Sequence, residues 1–211
     1  MATGQQLIER ALRIPLQDAG WTPRAAGWFT RAIAPGYTGV LAASTASEHS
    51  PTGTGMATLY VGLRREDVEP VVRELCRIPG SDGGYRSRTV ITTIGYLMPE
   101  PTWRTWFVAP DTADAVAVEL STLVARHAQP YLERLAADPD QLIEAVRTTR
   151  HWSSADGPCT LAVLLALEGR PEEGWAFVQE RLSLLGAQTN PFAEHMRDMA
   201  GRLRTWLDSG Q

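Results

Sequence analysis

The sequence predicts an α+β fold: an antiparallel sheet of about five strands with helices on one face, followed by an all-helical C-terminal part with a helical hairpin. Three observations predict it. Hydrophobic patterning through residue 110 reads helix, three strands, helix, two strands. Between the first two strands only Ala34, Pro35 and Gly36 intervene, a link of hairpin length that suits antiparallel neighbours. Beyond Asp111 the strand signals stop, and helical periods with proline at their starts take over. The expected division is a sheet domain over 1–110 and a helical part over 111–211, packed on or beside it.

In chain order, Gln5 to Ala19 places Leu7, Ile8, Ala11, Leu12 and Leu16 near one helical face, with Pro15 as a kink and Gly20 as the C-terminal stop. Strands are expected over Gly27 to Ile33, Tyr37 to Ser44 and Met56 to Leu63, the third reached across the polar, glycine-rich loop Ser47 to Gly55. Glu66 to Arg77 then sets Val68, Val71, Val72, Leu75 and Cys76 at the spacing of an amphipathic helix, and Pro70 falls in its first turn, where a missing donor costs little. Pro79 to Ser87, with Gly80, Gly83 and Gly84, reads as a loop. Arg88 to Leu97 alternates as a β-branched strand, and Trp103 to Val108 follows through Pro99 and Pro101.

In the second half, Asp111 can cap a helix whose Val116, Leu120, Leu123, Val124 and His127 share a face, interrupted by Pro130. Asp138 and Pro139 read as N-cap and first position of a helix through Arg147. Gly157 with Pro158, Arg170 with Pro171, and Asn190 with Pro191 mark three further starts by the same signal. Pro158 to Glu168 and Pro171 to Leu185, turning at Gly169, form the helical hairpin; a single copy argues against an extended repeat array.

Composition excludes chemistries before it names one. All 20 Lys+Arg residues are arginine, so a Schiff base, a pyridoxal phosphate anchor, a P-loop lysine and a kinase strand lysine are ruled out. Residues 1–110 carry 11 Arg and 9 acids, whereas residues 111–211 carry 9 Arg and 15 acids, giving a mildly acidic C-terminal half. With a net charge of -4 and no basic run, nucleic acid is disfavoured as a ligand. The first 20 residues include Glu9 and Asp18 and lack a secretory apolar core, and the apolar run Cys159 to Leu167 is about half a bilayer span; a cytosolic protein is expected, without membrane contact. Cys76 and Cys159 form no CxxC pattern and read as buried free thiols. The single Asn, the missing lysine and the Ala- and Arg-rich usage fit a GC-rich bacterial genome.

Three stretches carry a resemblance: Leu16 to Arg31, with Ala19, Gly20, Trp21, Trp28 and Phe29; Val61 to Leu75, with Val61, Gly62, Leu63, Arg64, Val68 and Glu69; and Thr93 to Pro99 with Trp106. On these the chain resembles a family of small uncharacterised bacterial α+β proteins over roughly residues 1–140. The resemblance is structural and carries no active site; what it implies is a protein-binding role, since some small families of this type act as immunity or partner-binding proteins.

Specific catalytic signatures are absent: no GxSxG, HExxH, HxE with PCxxC, or GxGxxG between strand and helix. The histidines His49, His127, His151 and His195 lie outside helical contact of one another. His49 sits in the Ser-, Thr- and Gly-rich loop, where a solvated hairpin is the ordinary reading. Glu194, His195 and Asp198 could form half a metal site, against the commoner reading of an exposed face paired with Arg197 and Arg202. Arg86 and Arg88 could clamp an anion or simply flank a strand. Arg150, His151 and Trp152 occupy a connector, as a recognition spot or as a plug between layers.

Seven tryptophans, at 21, 28, 103, 106, 152, 175 and 206, are the strongest binding signal. Alternation sets Trp28 opposite Phe29 and Trp103 opposite Trp106, so one aromatic of each pair should leave the core, toward a face that is either an open binding surface or covered by the C-terminal helices. The favoured reading is a non-enzymatic protein binder, of immunity or antitoxin type, using Trp28, Trp103, Trp106, Trp152, Arg86 and Arg88, with no cofactor or metal. The alternative is a small-molecule binder or hydrolase with a site between the sheet and the helical part and His49 or His151 as base; a self-associating dimer is a third.

Overall fold

The computed structural model describes residues 2–46, 51–77, 84, 86–149 and 156–210. The fold is α+β, with an antiparallel sheet and a helical C-terminal part. Two compact units emerge: unit 1 comprises Met1–Arg64 and Ile91–Ala137, and unit 2 comprises Arg65–Val90 and Asp138–Gln211. This differs from the division expected at residue 110. The helices just after that point group with the sheet, and the helix between the fourth and fifth strands groups with the C-terminal helices.

Unit 1 opens with α1 (Gly4–Asp18), whose capping box has Thr3 Oγ1 accepting from the Gln6 amide while the Thr3 amide donates to Gln6 Oε1. Leu7, Ile8, Leu12 and Leu16 are buried on one stripe, and Pro15 is accommodated within the helix. The helix ends in a Schellman arrangement: the Gly20 amide donates to Gln17 O and the Trp21 amide to Leu16 O, with Gly20 at φ 83° where a Cβ would be strained.

The sheet runs β1 (Thr22–Pro23), β2 (Trp28–Ala34), β3 (Tyr37–Ala46), β4 (Gly55–Arg65) and β5 (Val90–Thr93) in spatial order, with β6 (Trp106–Val108) also paired to β4. The tight Pro35-Gly36 turn sets the β2–β3 register, with Trp28 opposite Ala42 and Phe29 opposite Leu41. The strand expected over Arg88 to Leu97 stops at Thr93 and gives way to a 3₁₀ turn over Ile94–Leu97. Gly95 explains the break, because its carbonyl accepts from the Thr102 amide and a Cβ there would stand 2.3 Å from Thr102 O. The following strand is correspondingly short, covering Trp106–Val108 rather than Trp103 to Val108.

Helices α3 (Ala113–Leu123) and α4 (Gln129–Ala137) complete unit 1, joined by a π turn over Val124–Ala128. The α3 N-cap is Thr112, one residue after the expected Asp111; the Thr112 hydroxyl accepts from the Ala109 amide and closes the entry turn. Pro130 does not end the helical run, because the π turn lies directly before it and relaxes the ladder. One sheet face meets these helices. Gln5 of α1 donates to Ala43 O and accepts from the Thr45 amide, and Arg31 of β2 bridges Ala19 O and Gln129 Oε1.

Unit 2 holds α2 (Val68–Cys76), α5 (Pro139–Thr148), α6 (Asp156–Leu167), α7 (Pro171–Leu185) and α8 (Pro191–Asp208). Helix α6 is apolar all round and buried from Pro158 through Leu165, because α2, α5, α7 and α8 all pack against it. Asp138 and Asn190 cap α5 and α8 with proline at the next position. The α6–α7 hairpin closes tightly at Gly174, where a Cβ would stand 2.8 Å from Ala162 O. Arg65 is held by Asp67 and by Glu168 at the end of α6, and the Thr89 hydroxyl accepts from the Arg65 amide while donating to the buried Glu69 carboxylate.

Candidate functional site: the outer sheet face

Strand alternation assigns each residue of the sheet to a face. Phe29, Leu41 and Ala43 share the helix side with Gly39, whose Cβ position lies 3.1 Å from Leu132 of α4; all of them are buried. On β4 the odd positions belong to the same side, since Gly55 adjoins both Gly4 of α1 and Thr45. Ala57, Leu59, Val61 and Leu63 are accordingly fully buried. The remaining set, Trp28, Thr30, Val40, Ala42, Met56, Thr58 and Tyr60, lies on the outer face.

Cross-strand pairing extends this assignment to β6. Trp106 lies opposite Ala57 and so faces the helices, where its indole Nε1 donates to Glu119 of α3 at 2.8 Å. Phe107 lies opposite Met56 and so faces outward, 48% exposed. Trp103, 46% exposed, precedes the strand and packs edge-on against Tyr60, with ring centroids 6.3 Å apart at 72°. Trp28 is half-buried, whereas its neighbour Phe29 is buried. The outer face thus carries Trp28, Tyr60, Trp103 and Phe107 over a floor of small or β-branched residues, Thr30, Val40, Ala42 and Thr58, all of them buried.

Among the described residues, the charges around this face are sparse. Arg24 donates from Nε to Thr30 Oγ1 on the face itself, Arg64 lies two residues beyond Gly62 near the end of β4, and Glu100 stands 3.9 Å from Arg104 beside Trp103 in the chain. Unit 1 as a whole balances eight arginines with eight acidic residues. Such a surface offers aromatic contact area and few ionic anchors, which suits apolar recognition better than chemistry on a charged substrate.

The other sequence candidates fall elsewhere. Trp106 belongs to the opposite face from Trp103, and Arg86 (exposed) and Arg88 (half-buried) belong to unit 2. His49, His151 and Trp152 lie outside the described residues. On α8, Glu194 and Asp198 are exposed and His195 half-buried, and no group of His, Cys, Asp and Glu able to hold a metal ion occurs among the described residues. The pairing expected of that helix gives way to backbone contacts: Arg197 donates to Gly186 O and Arg202 to Leu75 O, because both guanidinium groups reach helix or loop carbonyls that lack other donors in the ladder. Phe107 was missed in the sequence, where its place next to Trp106 in an alternating strand says only that one of the two faces outward; the pairing with Met56 decides which. Among the described residues no helix is long and apolar enough to cross a membrane. No protein-family model matches the chain, and neither a curated protein nor a solved structure matches it.

Proposed function

We propose that this is a non-enzymatic protein-binding protein of the immunity or antitoxin type, docking its partner on the aromatic outer face of the sheet. The observation that carries the reading is the exposure of Trp103 and Phe107 on the same face as Tyr60 and Trp28. Aromatic side chains bury large areas at low conformational cost, and hot spots at protein interfaces are enriched in them. The resemblance is to small uncharacterised bacterial α+β proteins, and since some small families of that type bind protein partners it is compatible with this reading.

Co-expression with the products of adjacent genes, followed by gel filtration, tests the proposal. A stable co-eluting complex is expected, and W103A and F107A should each weaken it by about ten- to a hundredfold, or roughly 1.5–3 kcal/mol, while leaving the circular dichroism spectrum intact. Failure of every neighbouring product to co-elute would overturn the immunity reading.

A further inference from the structure

The helix side of unit 1 keeps apolar side chains in water. Helix α1 exposes Ile14 at 68% and α3 exposes Val118 at 60%, more than any other large apolar side chain among the described residues of that unit. Neither serves the core, because each helix already buries its own apolar stripe, Leu7, Ile8, Leu12 and Leu16 on α1 and Val116, Ala117, Leu120 and Leu123 on α3. The two helices pack side by side, so their outer faces make one surface. Both begin at the same end of the sheet, where Gly4 adjoins Gly55 and Gly55 pairs with Val108 just ahead of α3.

Charge divides across this surface. Arg10 stands one turn before Ile14 and Arg13 beside it, both exposed; Glu9 is half-buried against Gln5, and Asp18 lies at the helix end. On α3, Asp114 stands one turn before Val118 and Glu119 beside it, both exposed, and the helix holds no cation. These charges do not pair within the chain: among the described residues no ion pair engages Arg10, Arg13 or Asp114, and Glu119 accepts the Trp106 indole N–H. The hydroxyls of Ser121 and Thr122, a turn beyond Val118, both donate to Val118 O, at 2.9 and 2.8 Å, so water can leave that turn without stranding a donor.

We propose that the α1–α3 face is the docking surface for a second copy of this chain, related by a two-fold axis that lays α1 of each copy on α3 of the other. The complementary charges choose this operator, since an axis stacking α1 on α1 sets arginine against arginine. Because the two helices run the same way, the exchange brings Ile14 to Val118 and Arg10 to Asp114, each contact occurring twice. Unit 1 is neutral by count, so two copies approach it without net repulsion. The aromatic face lies on the other side of the sheet and stays open, which gives the dimer two partner sites.

Sedimentation velocity and light scattering of the full chain, from micromolar to millimolar concentration, test this. The expected species has twice the 23.1 kDa chain mass and dissociates on dilution and as salt screens the flanking charges. V118D, R10E and D114R should each weaken the dimer by about tenfold or more with the circular dichroism spectrum intact, and R10E with D114R should recover it, because the swap restores opposite charges. W103A and F107A should leave it unchanged. The proposal is overturned if the chain is monomeric throughout the range, if the double swap dimerises no better than its parents, or if W103A or F107A abolishes a dimer that V118D leaves intact, which would put self-association on the outer sheet face. Capture of a co-expressed partner is read separately, so the two surfaces stand or fall independently.

Discussion

Polar atoms left without partners in the core mark where single residues can be improved. Among the described residues the Thr93 hydroxyl is buried with no hydrogen-bond partner, at the point where β5 ends in the 3₁₀ turn, and the Trp21 indole N–H is in the same condition. A buried hydroxyl without a partner forfeits its hydration for nothing, at a cost of about 1–3 kcal/mol. Thr93→Val keeps the shape and removes the polar atom. It should leave the fold unchanged and raise the thermal midpoint; a drop of more than a degree or two would reveal a partner for the hydroxyl in solution.

At the level of elements, the α6–α7 hairpin depends on the absence of one side chain. Alanine at position 174 would gain about 1 kcal/mol of helix propensity over glycine. Its Cβ, however, would press on the Ala162 carbonyl at 2.8 Å, and overpacking of this kind costs about 1–3 kcal/mol. Gly174→Ala is therefore expected to lower stability by about 1 kcal/mol, read in a urea melt as a lower midpoint at unchanged slope. The start of α7 is tied to α5 by a chain of charges: Asp140 with Arg170, Arg170 with Glu173, and Glu173 with Arg147. Hydrogen bonds from Arg147 and Arg170 hold the Glu173 carboxyl below the usual carboxylate range, and those from the Gln141 side chain and amide do the same for Asp138 at the α5 N-cap. For groups depressed in the folded state, the stabilisation is present above the unfolded carboxylate value and is lost as pH falls through the folded one. Melting temperature should thus decline on acidification below about pH 4.5. Glu173→Gln should flatten that decline without abolishing it, since Asp138 contributes over the same window and solvent screens both groups.

For the molecule as a whole, charge is divided between the units as clearly as secondary structure is. Unit 1 is neutral by count, whereas unit 2 carries twelve arginines against sixteen acidic residues. A partner held by the aromatic face of unit 1 should keep its affinity as ionic strength rises, because exposed charges more than about 10 Å apart are already screened at 0.1 M salt. A partner drawn by the acidic helices should instead lose affinity steeply. Titration calorimetry of the complex at low and high salt separates the two, and a strong salt dependence would move the docking surface to unit 2.

Local rules made much of this architecture legible in the sequence. The turn at Pro35 and Gly36, the stop at Gly20, the caps at Asp138 and Asn190 and the apolar period of α2 act through neighbouring residues, so their effects need no knowledge of the rest of the chain. Alternation likewise told which of Trp28 and Phe29 could leave the core only as a pair of options; the helices lying over Phe29 made the choice. What tertiary structure alone decided are contacts between distant segments. Gly95 ends a strand because Thr102 comes back to its carbonyl, and α2 joins the C-terminal helices because α6 needs apolar cover on every side. The aromatic face belongs to both: periodicity put tryptophans on alternate sides, and the packing of α1, α3 and α4 on one side left Trp103 and Phe107 exposed on the other.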